Sequence, residues 1–299
     1  MAAPRGISLC SILRGVAGLY RSSVGQARVR NWCSARLSSW DLPHEDHEMG
    51  TSCGQTHVVS VGAGDGVCIY LPGTNFNAAT STVAIDALAS GCRVYAADLP
   101  GQPGLSSAAR PGRQARGYAG WVTELIAWVR HRHRRERLVL AGHSRGAAVA
   151  LSADPHDVQG LALLSPAGLT TVHPSMEMLR ATVPWIVRRD QAGARRLLEY
   201  MSGPGHTPSD DLVEWMTLVS QACRTTGAPG PLSKEDLIRW KGHDVLVAVG
   251  ENDVFFPVST LREPSRSMLG QEPIVVPGAG HLLVDEESVL ISQIVTSLL

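Results

Sequence analysis

The sequence predicts an α/β domain, in which helices cover both faces of a mostly parallel β-sheet. Two observations carry this prediction. Short apolar runs without polar alternation recur along the chain, as is typical of strands that are buried on both faces. Segments with apolar residues at helical spacing separate these runs, as in the crossovers between parallel strands. The strand-like runs lie at 94–97, 138–141, 161–164, 245–249 and 274–276.

Helical segments fill the intervals between the runs. The clearest one spans 118–129, where Trp121 and Leu125 share one helical face. A helix of small residues at 145–151 and a final helix at 286–298 continue the alternation. A regular exchange of strand and helix favours parallel strand pairing, because each crossover returns the chain to the same end of the sheet.

The beginning of the sheet has a different pattern. A β-branched run ends the segment 51–61, and a second apolar run follows at 67–71, with glycines at 62, 64 and 66 between them. A glycine-rich connection between two such runs is typical of a β-hairpin. We therefore expect an antiparallel pair at one edge of the sheet.

A helical block interrupts the alternation after Gly168. The stretches 176–189, 192–201 and 210–222 have helical character, and no strand is predicted among them. Such an insertion is expected to form a cap over the carboxyl ends of the strands, where open α/β sheets place their active sites. The predicted division is an α/β core at 51–168 and 241–299, a cap at 169–240 and an N-terminal helical extension at 1–50.

The composition narrows the class of protein. Lys and Arg number 27, as do Asp and Glu, so the formal net charge is zero. This balance argues against a surface for nucleic acid or anionic lipid. The basic run at 130–137 ends a predicted helix, where cations meet the negative end of the helix dipole. No apolar stretch approaches the ~18 residues of a membrane span, so we expect no transmembrane helix.

The first 40 residues contain no acidic residue and repeated Arg and Ser, which also fits an organellar transit peptide. Arginine outnumbers lysine throughout, however, since the only lysines are Lys234 and Lys241. We therefore expect a retained helix and a cytoplasmic protein, with an organellar location as the alternative. The six cysteines form no C-x-x-C pair, so we expect reduced structural thiols in a reducing compartment, and neither a disulfide framework nor a zinc site. We also expect no cofactor.

Ser144 is the strongest candidate for a reactive residue. It lies at the centre of Gly142-His143-Ser144-Arg145-Gly146, directly after the apolar run 138–141. A G-x-S-x-G turn between a strand and a helix holds its serine in a strained backbone conformation that leaves no room for neighbouring side chains. The small residues on both sides of Ser144 meet that steric requirement.

A serine hydroxyl needs a base, and the base needs a group that orients it. Asp253 and His281 follow Ser144 in the chain, each a few residues beyond a predicted strand. The carboxyl ends of parallel strands meet at one edge of the sheet, so the three side chains are expected together there. The order Ser, Asp, His is also that of the nucleophile-elbow arrangement.

An oxyanion formed during attack by Ser144 needs backbone N–H donors. Arg145 is expected to supply one, from the start of the helix after the serine. The loop after Leu71 is expected to supply the other, from Thr74 as first choice and Asn75 as second. A plain Gly-Asn turn is the alternative for this loop.

Together these residues resemble the α/β-hydrolase superfamily, in the branch of lidded carboxylesterase-like and lipase-like serine hydrolases. The likeness extends from about Gly50 to the C-terminus and includes 98–106 (DLPGQPGLS), which is similar to the family's D-x-P-G-x-G-x-S loop. The segment 164–168 is similar to the family's entry into the lid. The resemblance implies an α/β-hydrolase fold with eight strands and a helical cap, and the three residues above as its catalytic triad.

The sequence departs from the family's pattern at three places. Pro72-Gly73 stands where His-Gly usually precedes the oxyanion residue, which leaves the backbone donor but removes a bracing side chain. Pro103 is an extra residue in the D-x-P-G loop. Asp154-Pro155 arrives about one turn early after the elbow helix. These departures concern the shape of the pocket.

Several other polar residues have competing interpretations. His143 is expected to pack beneath the elbow and not to act as a second base. Asp98 lies at a strand end and could replace Asp253 as the acid. Asp285 and Glu286 are expected at the start of the final helix, as partners of its positive dipole end.

The predicted function is hydrolysis of a carboxylic ester through an acyl-enzyme. Thioester hydrolysis, acyl transfer or lactone formation would use the same residues, as would a cofactor-free oxidative or C–C-cleaving enzyme of similar triad. A non-catalytic ligand-binding protein of this fold is the third class. Cap residues such as Met178, Trp185 and Met216 indicate either an apolar acyl pocket or plain core, so the expected partner is a small apolar acyl substrate. The pattern does not specify an oligomeric state.

Overall fold

An eight-stranded sheet forms the centre of the molecule in the computed structural model, which describes residues 18–111, 115–224 and 227–299. Its strands fall where the sequence predicts short buried runs, with one more at the start. They are β1 His44–Thr51, β2 Gly54–Val61, β3 Gly66–Leu71, β4 Arg93–Ala97, β5 Arg137–His143, β6 Gly160–Leu164, β7 Val245–Gly250 and β8 Ile274–Val276.

The strands follow the order β1-β2-β4-β3-β5-β6-β7-β8. The six strands β3 to β8 pair with their neighbours in parallel, whereas β2 is antiparallel to both β1 and β4. Parallel pairing brings the carboxyl ends of β3, β5, β7 and β8 to one edge. This is the α/β-hydrolase fold expected from the sequence, a mostly parallel sheet with helices on both faces.

The predicted hairpin was wrong in its partners. β2 and β3 do not pair with each other, because β4 lies between them, with Val58 opposite Ala97 and Cys68 beside Val94. The glycine-rich link therefore carries the chain across the end of β4 and does not turn it back. The antiparallel hairpin is formed by β1 and β2 over their whole length.

The helices divide between the two faces of the sheet. α2 and α11 pack on one face, where Tyr70 and Ile291 belong to the same core cluster. Residues of α3, α4, α8 and α9 belong to the core cluster of the other face, together with Ile69 and Leu140. The helices are α1 Ser23–Ser38, α2 Thr82–Ala89, α3 Ala119–Arg132, α4 Arg145–Ala150, α5 Met176–Arg188, α6 Gln191–Met201, α7 Asp210–Ala222, α8 Lys234–Ile238, α9 Val258–Pro264, α10 Leu283–Glu286 and α11 Ser288–Thr296.

Helices α5, α6 and α7 form the helical block that the sequence places after Gly168. Each begins at a polar residue whose side chain accepts a first-turn N–H: Ser175, Asp190 and Ser209. This capping ends the connecting segments sharply. α6 packs between α5 and α7, and the Trp185 indole donates a hydrogen bond to the carbonyl of Met216 at 2.7 Å.

The N-terminal segment contacts helix α7 and supplies the first strand of the sheet. α1 packs against α7 through buried residues that include Val29 and Cys33. β1 begins at His44, inside the segment expected to be an extension, so the sheet starts earlier than predicted. The transit-peptide alternative falls in part on residues 1–17, which lie outside the described residues.

The thiols and the helices of the described chain bear on two further expectations. Cys33, Cys53, Cys68, Cys92 and Cys223 are free thiols. None of the described helices is both long enough and apolar enough to cross a membrane.

Candidate active site

Ser144 occupies the turn between β5 and α4 with φ 51° and ψ −111°. L-residues other than glycine seldom adopt positive φ, and such strain is concentrated at functional sites. The neighbours leave no space for side chains. A Cβ at Gly142 would overlap the backbone of Gly146, and one at Gly146 would overlap the carbonyl of Leu71. The two glycines therefore allow the strand, the turn and β3 to approach closely enough to hold the serine.

The structure brings the three predicted triad residues together. His281 Nε2 lies 3.1 Å from Ser144 Oγ, and His281 Nδ1 lies 2.9 Å from Asp253 Oδ2. All three residues are buried, at 3–5% exposure. Burial alone would raise the pKa of Asp253, but the electrostatic interaction and hydrogen bond with His281, together with an N–H from Phe256, outweigh it and hold that pKa at about 2. Asp253 is therefore a carboxylate at neutral pH and can only accept, so Nδ1 donates.

Backbone groups fix the orientation of Asp253. Its Oδ1 accepts the N–H groups of Phe255 and Phe256, both at 2.9 Å. These two bonds leave Oδ2 for His281. The carboxylate thus approaches the imidazole in one direction, and the other ring nitrogen is presented to Ser144.

His143, the residue before Ser144, is buried and lines the same cavity as Ser144 and His281. Its Nε2 lies 2.8 Å from the carbonyl of His281. Burial, with the nearby His281, lowers the pKa of His143 to about 3, so this ring is neutral and its Nε2–H donates to that carbonyl. His143 therefore supports the backbone of the neighbouring histidine and does not face Asp253 as a competing base.

Of the two predicted oxyanion donors, Thr74 lines the same cavity as Ser144, and Arg145 follows Ser144 directly in the chain. Arg145 is the first residue of α4, and helix N-termini present N–H groups toward negative charge. In the other loop the N–H of Asn75 donates to Gln102 Oε1 at 3.1 Å, which leaves Thr74 as the better placed candidate. Gly73 keeps this loop close, since a Cβ there would lie 3.0 Å from the His143 ring and 3.4 Å from Ser144 Cβ.

The side chain of Arg145 links Thr74, in the loop after β3, to the segment that follows α7. Its Nε donates to Thr74 Oγ1 at 3.1 Å, and its Nη2 donates to the carbonyl of Gly227 at 2.6 Å. Burial lowers the pKa of this guanidinium. The two hydrogen bonds fix the position of Thr74 relative to the loop that follows α7.

A pocket of about 410 Å³ opens at Ser144 and His281, and helices α5, α6 and α7 contribute to its walls. This volume falls within the range typical of small-molecule sites. Among the described lining residues, the only titratable groups are the two histidines, His143 and His281. The remaining walls include Phe76, Met178, Trp185, Leu197, Met201, Met216, Phe255 and Phe256.

Comparison with known protein families identifies the family of this chain. The model of the α/β hydrolase family matches residues 63–291. The chain belongs to the α/β hydrolase family. No curated protein sequence matches it significantly.

Solved structures share the hydrolase fold over 84–93% of this chain. Carboxylesterase CesB of Bacillus subtilis is 22% identical, with a TM-score of 0.72, over 92% of this chain and 98% of that one. The naproxen esterase, carboxylesterase NP, of Bacillus subtilis is 22% identical, with a TM-score of 0.74, over 93% and 99%. A meta-cleavage product hydrolase of Pseudomonas fluorescens is 18% identical, with a TM-score of 0.67, over 84% and 96%. At these identities the likeness concerns the fold.

Asp98, the alternative acid of this hydrolase, has a different set of contacts. Its Oδ1 accepts the N–H of Ala78 and its Oδ2 that of Leu105, both at 2.8 Å. Oδ2 also lies 3.5 Å from His57 Nδ1. The carboxylate of Asp98 thus joins the loop that contains Leu105 to the segment that begins at Ala78, whereas Asp253 contacts His281.

Sequence patterns did not indicate three contributors to the site. Gln102 and Trp215 both bond the backbone of Asn75. The side-chain oxygen of Gln102 accepts the N–H of Asn75, and the indole N–H of Trp215 donates to the carbonyl of Asn75 at 2.8 Å. Glu286 ends α10 and bonds backbone N–H groups of other segments, so the expected role at the start of the final helix was wrong. Apart from the bond between Gly280 and Glu286, these contacts join segments 27 or more residues apart, and no spacing in the sequence reveals them.

Proposed function

We propose that this α/β hydrolase cleaves carboxylic esters with a neutral, apolar acyl group through an acyl-enzyme. The observation that carries the proposal is the continuous hydrogen-bonded path from Asp253 through His281 to Ser144, which ends in an apolar pocket. A serine in that position is activated by an oriented base.

Acylation follows from the positions of these groups. Ser144 Oγ attacks the ester carbonyl carbon while its proton passes to His281 Nε2, 3.1 Å away. The carboxylate of Asp253 stabilises the resulting imidazolium, to which Nδ1–H remains bonded. The N–H groups of Thr74 and Arg145 receive the oxyanion, and His281 then returns the proton to the leaving alcohol.

Deacylation reverses the same steps with water as the nucleophile, and His281 again takes and returns one proton. The acyl group occupies the pocket beneath α5, α6 and α7 throughout. Because the described lining carries no acidic or basic side chain other than histidine, a charged acyl group would lose its hydration without gaining an ionic partner. Neutral apolar acyl groups are therefore the substrates that this pocket favours.

The test is covalent labelling with a fluorophosphonate probe, followed by turnover of nitrophenyl esters of increasing acyl length. Wild type is expected to label at Ser144 and to hydrolyse these esters, whereas Ser144→Ala does neither. Ser152→Ala is the matched control, because its buried hydroxyl donates to the carbonyl of Val149 and takes no part in the pocket.

Failure of folded wild type to label would contradict the proposal and favour a ligand-binding protein. Labelling that survives in Ser144→Ala would assign the nucleophile elsewhere. Parallel assays with acyl thioesters, and with an added alcohol acceptor, separate ester hydrolysis from thioester hydrolysis and acyl transfer. Faster turnover of either alternative than of the matched ester would reassign the reaction and keep the nucleophile.

A further inference from the structure

The end of cap helix α6 is bonded directly to the loop that carries His281. The N–H of His281 donates to the carbonyl of Met201, the last residue of α6, at 2.7 Å. The carboxylate of Glu286 spans the same junction: Oε1 accepts the N–H of Gly203 at 3.0 Å, and Oε2 accepts the N–H of Gly280 at 2.7 Å. One side chain thus joins the exit of the cap helix to the residue before the base.

Glycines bring the backbones of this junction into direct contact. A Cβ at Gly203 would overlap the carbonyl of Gly278, and a Cβ at Gly280 would lie 2.5 Å from the carbonyl of Met201. Beneath them, a Cβ at Gly250, the last residue of β7, would overlap the carbonyl of Gly280. With no side chain between these three segments, a displacement of one must move the next.

Met201 connects the junction to the substrate pocket. Its side chain lines the cavity, while its carbonyl accepts the N–H of His281. The position of α6 against the acyl group and the position of the base are therefore set by the same residue. Hydrogen bonds accepted by a carboxylate are stronger than those between neutral groups. The two bonds of Glu286 are therefore the main attachment between the end of α6 and the His281 loop, beside the bond from His281 to Met201.

We propose that Glu286 is a positioning residue for catalysis, whose carboxylate holds the end of α6 to the His281 loop and so aligns His281 between Asp253 and Ser144. The inference rests on the proposed function, in which His281 is the base. It assigns a function to an acid that touches neither the substrate nor the reacting atoms. The end of α6 must accordingly keep its contact with the His281 loop during turnover.

The experiment compares Glu286→Gln with Glu287→Gln in the full chain. The Gln side chain has one acceptor oxygen, so it can accept only one of the two N–H groups of Gly203 and Gly280 and turns its NH₂ group toward the other N–H. The fold is retained, and one of the two hydrogen bonds across the junction is lost. Glu287→Gln removes the same charge one residue later, where the carboxylate lies 3.9 Å from His206 Nε2. Thermal unfolding verifies that both variants are folded.

Two readouts follow the base itself. Steady-state turnover of the preferred nitrophenyl ester is expected to show kcat reduced on the order of 10- to 100-fold in Glu286→Gln, since small misplacements of reacting groups cost this much. KM should change less than about twofold, because removing a transition-state alignment lowers kcat selectively. The low-field ¹H NMR resonance of the Nδ1–H bonded to Asp253 should shift or broaden in Glu286→Gln and match wild type in Glu287→Gln.

A kcat for Glu286→Gln equal to that of Glu287→Gln overturns the proposal, as does a rise in KM at unchanged kcat, which would make Glu286 a support for the pocket alone. An unchanged Nδ1–H resonance, or none in wild type, overturns it too. If wild type shows no turnover that depends on Ser144, the proposed function fails, and the resonance comparison still decides the role of Glu286.

Discussion

Replacing Asp253 with Asn preserves the size of the side chain and removes its charge. In the structure Oδ1 accepts the N–H groups of Phe255 and Phe256, and the Asn oxygen can keep both bonds. The Asn amide then faces His281 Nδ1 in place of Oδ2, which lay 2.9 Å from it. Because that amide donates, the ring must accept at Nδ1 and carry its proton on Nε2, toward Ser144.

A ring protonated on Nε2 cannot accept the proton of Ser144, so the loss should fall on kcat. Removing the charge of a triad carboxylate costs on the order of 10⁴ in kcat, or about 5.4 kcal/mol of transition-state stabilisation. Stability should change much less, by about 1–3 kcal/mol, since only the bond to His281 is lost. The measurements are kcat with a nitrophenyl ester and the denaturation midpoint of the same preparation.

Asp98→Asn is the matched comparison, because it makes the same chemical change at the alternative acid. Asp98 accepts the N–H groups of Ala78 and Leu105, and Asn can keep only one of these bonds. We expect about 1–3 kcal/mol of lost stability and a kcat within about tenfold of wild type. An Asp253→Asn enzyme that retains more than a tenth of wild-type kcat, or a larger kcat loss in folded Asp98→Asn, would refute the assignment of the acid.

Two further predictions concern the pH dependence of stability and the pocket. Burial, with the neighbouring Glu286, raises the pKa of Asp285 to about 7, well above its value of about 4 in unfolded chains. Folding therefore binds a proton between these values, and stability falls as pH rises through 7. Asp285→Asn should consequently stabilise the protein at pH 8 by on the order of 1–3 kcal/mol and have little effect at pH 4, as measured by urea unfolding; an equal effect at both pH values would contradict this. Trp185→Leu enlarges the pocket and removes the hydrogen bond to the carbonyl of Met216. We expect kcat/KM to shift toward longer or bulkier acyl esters and stability to fall by about 2–4 kcal/mol. An unchanged preference over a series of esters of increasing acyl length would show that Trp185 does not contact the acyl group.

Most of the sheet was predictable because its strands are short and buried on both faces. β5 and β6 are continuous apolar runs, which identify such strands without knowledge of their partners. β1 was missed because it is an exposed edge strand of sequence HEDHEMGT, in which only Met49 is buried. The pairing of β2 was mispredicted because β4, more than thirty residues later, lies between it and β3, and a local pattern does not contain that information.

The candidate site divides along the same line between local and distant information. Ser144, Asp253 and His281 each follow a strand, so the parallel sheet determines that they meet. The bracing groups Gln102, Trp215 and Glu286 could not be predicted in this way. Their positions depend on how the cap and the loops are seated against one another, and that arrangement follows from packing over the whole core.

The indole of Trp215 has a consequence for attempts to exchange caps between hydrolases. Its N–H holds the carbonyl of Asn75, and its ring packs against Trp32 of α1 with a centroid distance of 4.8 Å. Asn75 has φ 66°, a conformation that needs support from its surroundings. Replacing helices α5 to α7 with those of a relative would therefore change the pocket and also remove the hydrogen bond from Trp215 that supports the loop at Asn75. Chimeras designed to change substrate range should retain the Trp32–Trp215 ring contact and the hydrogen bond from Trp215 to Asn75.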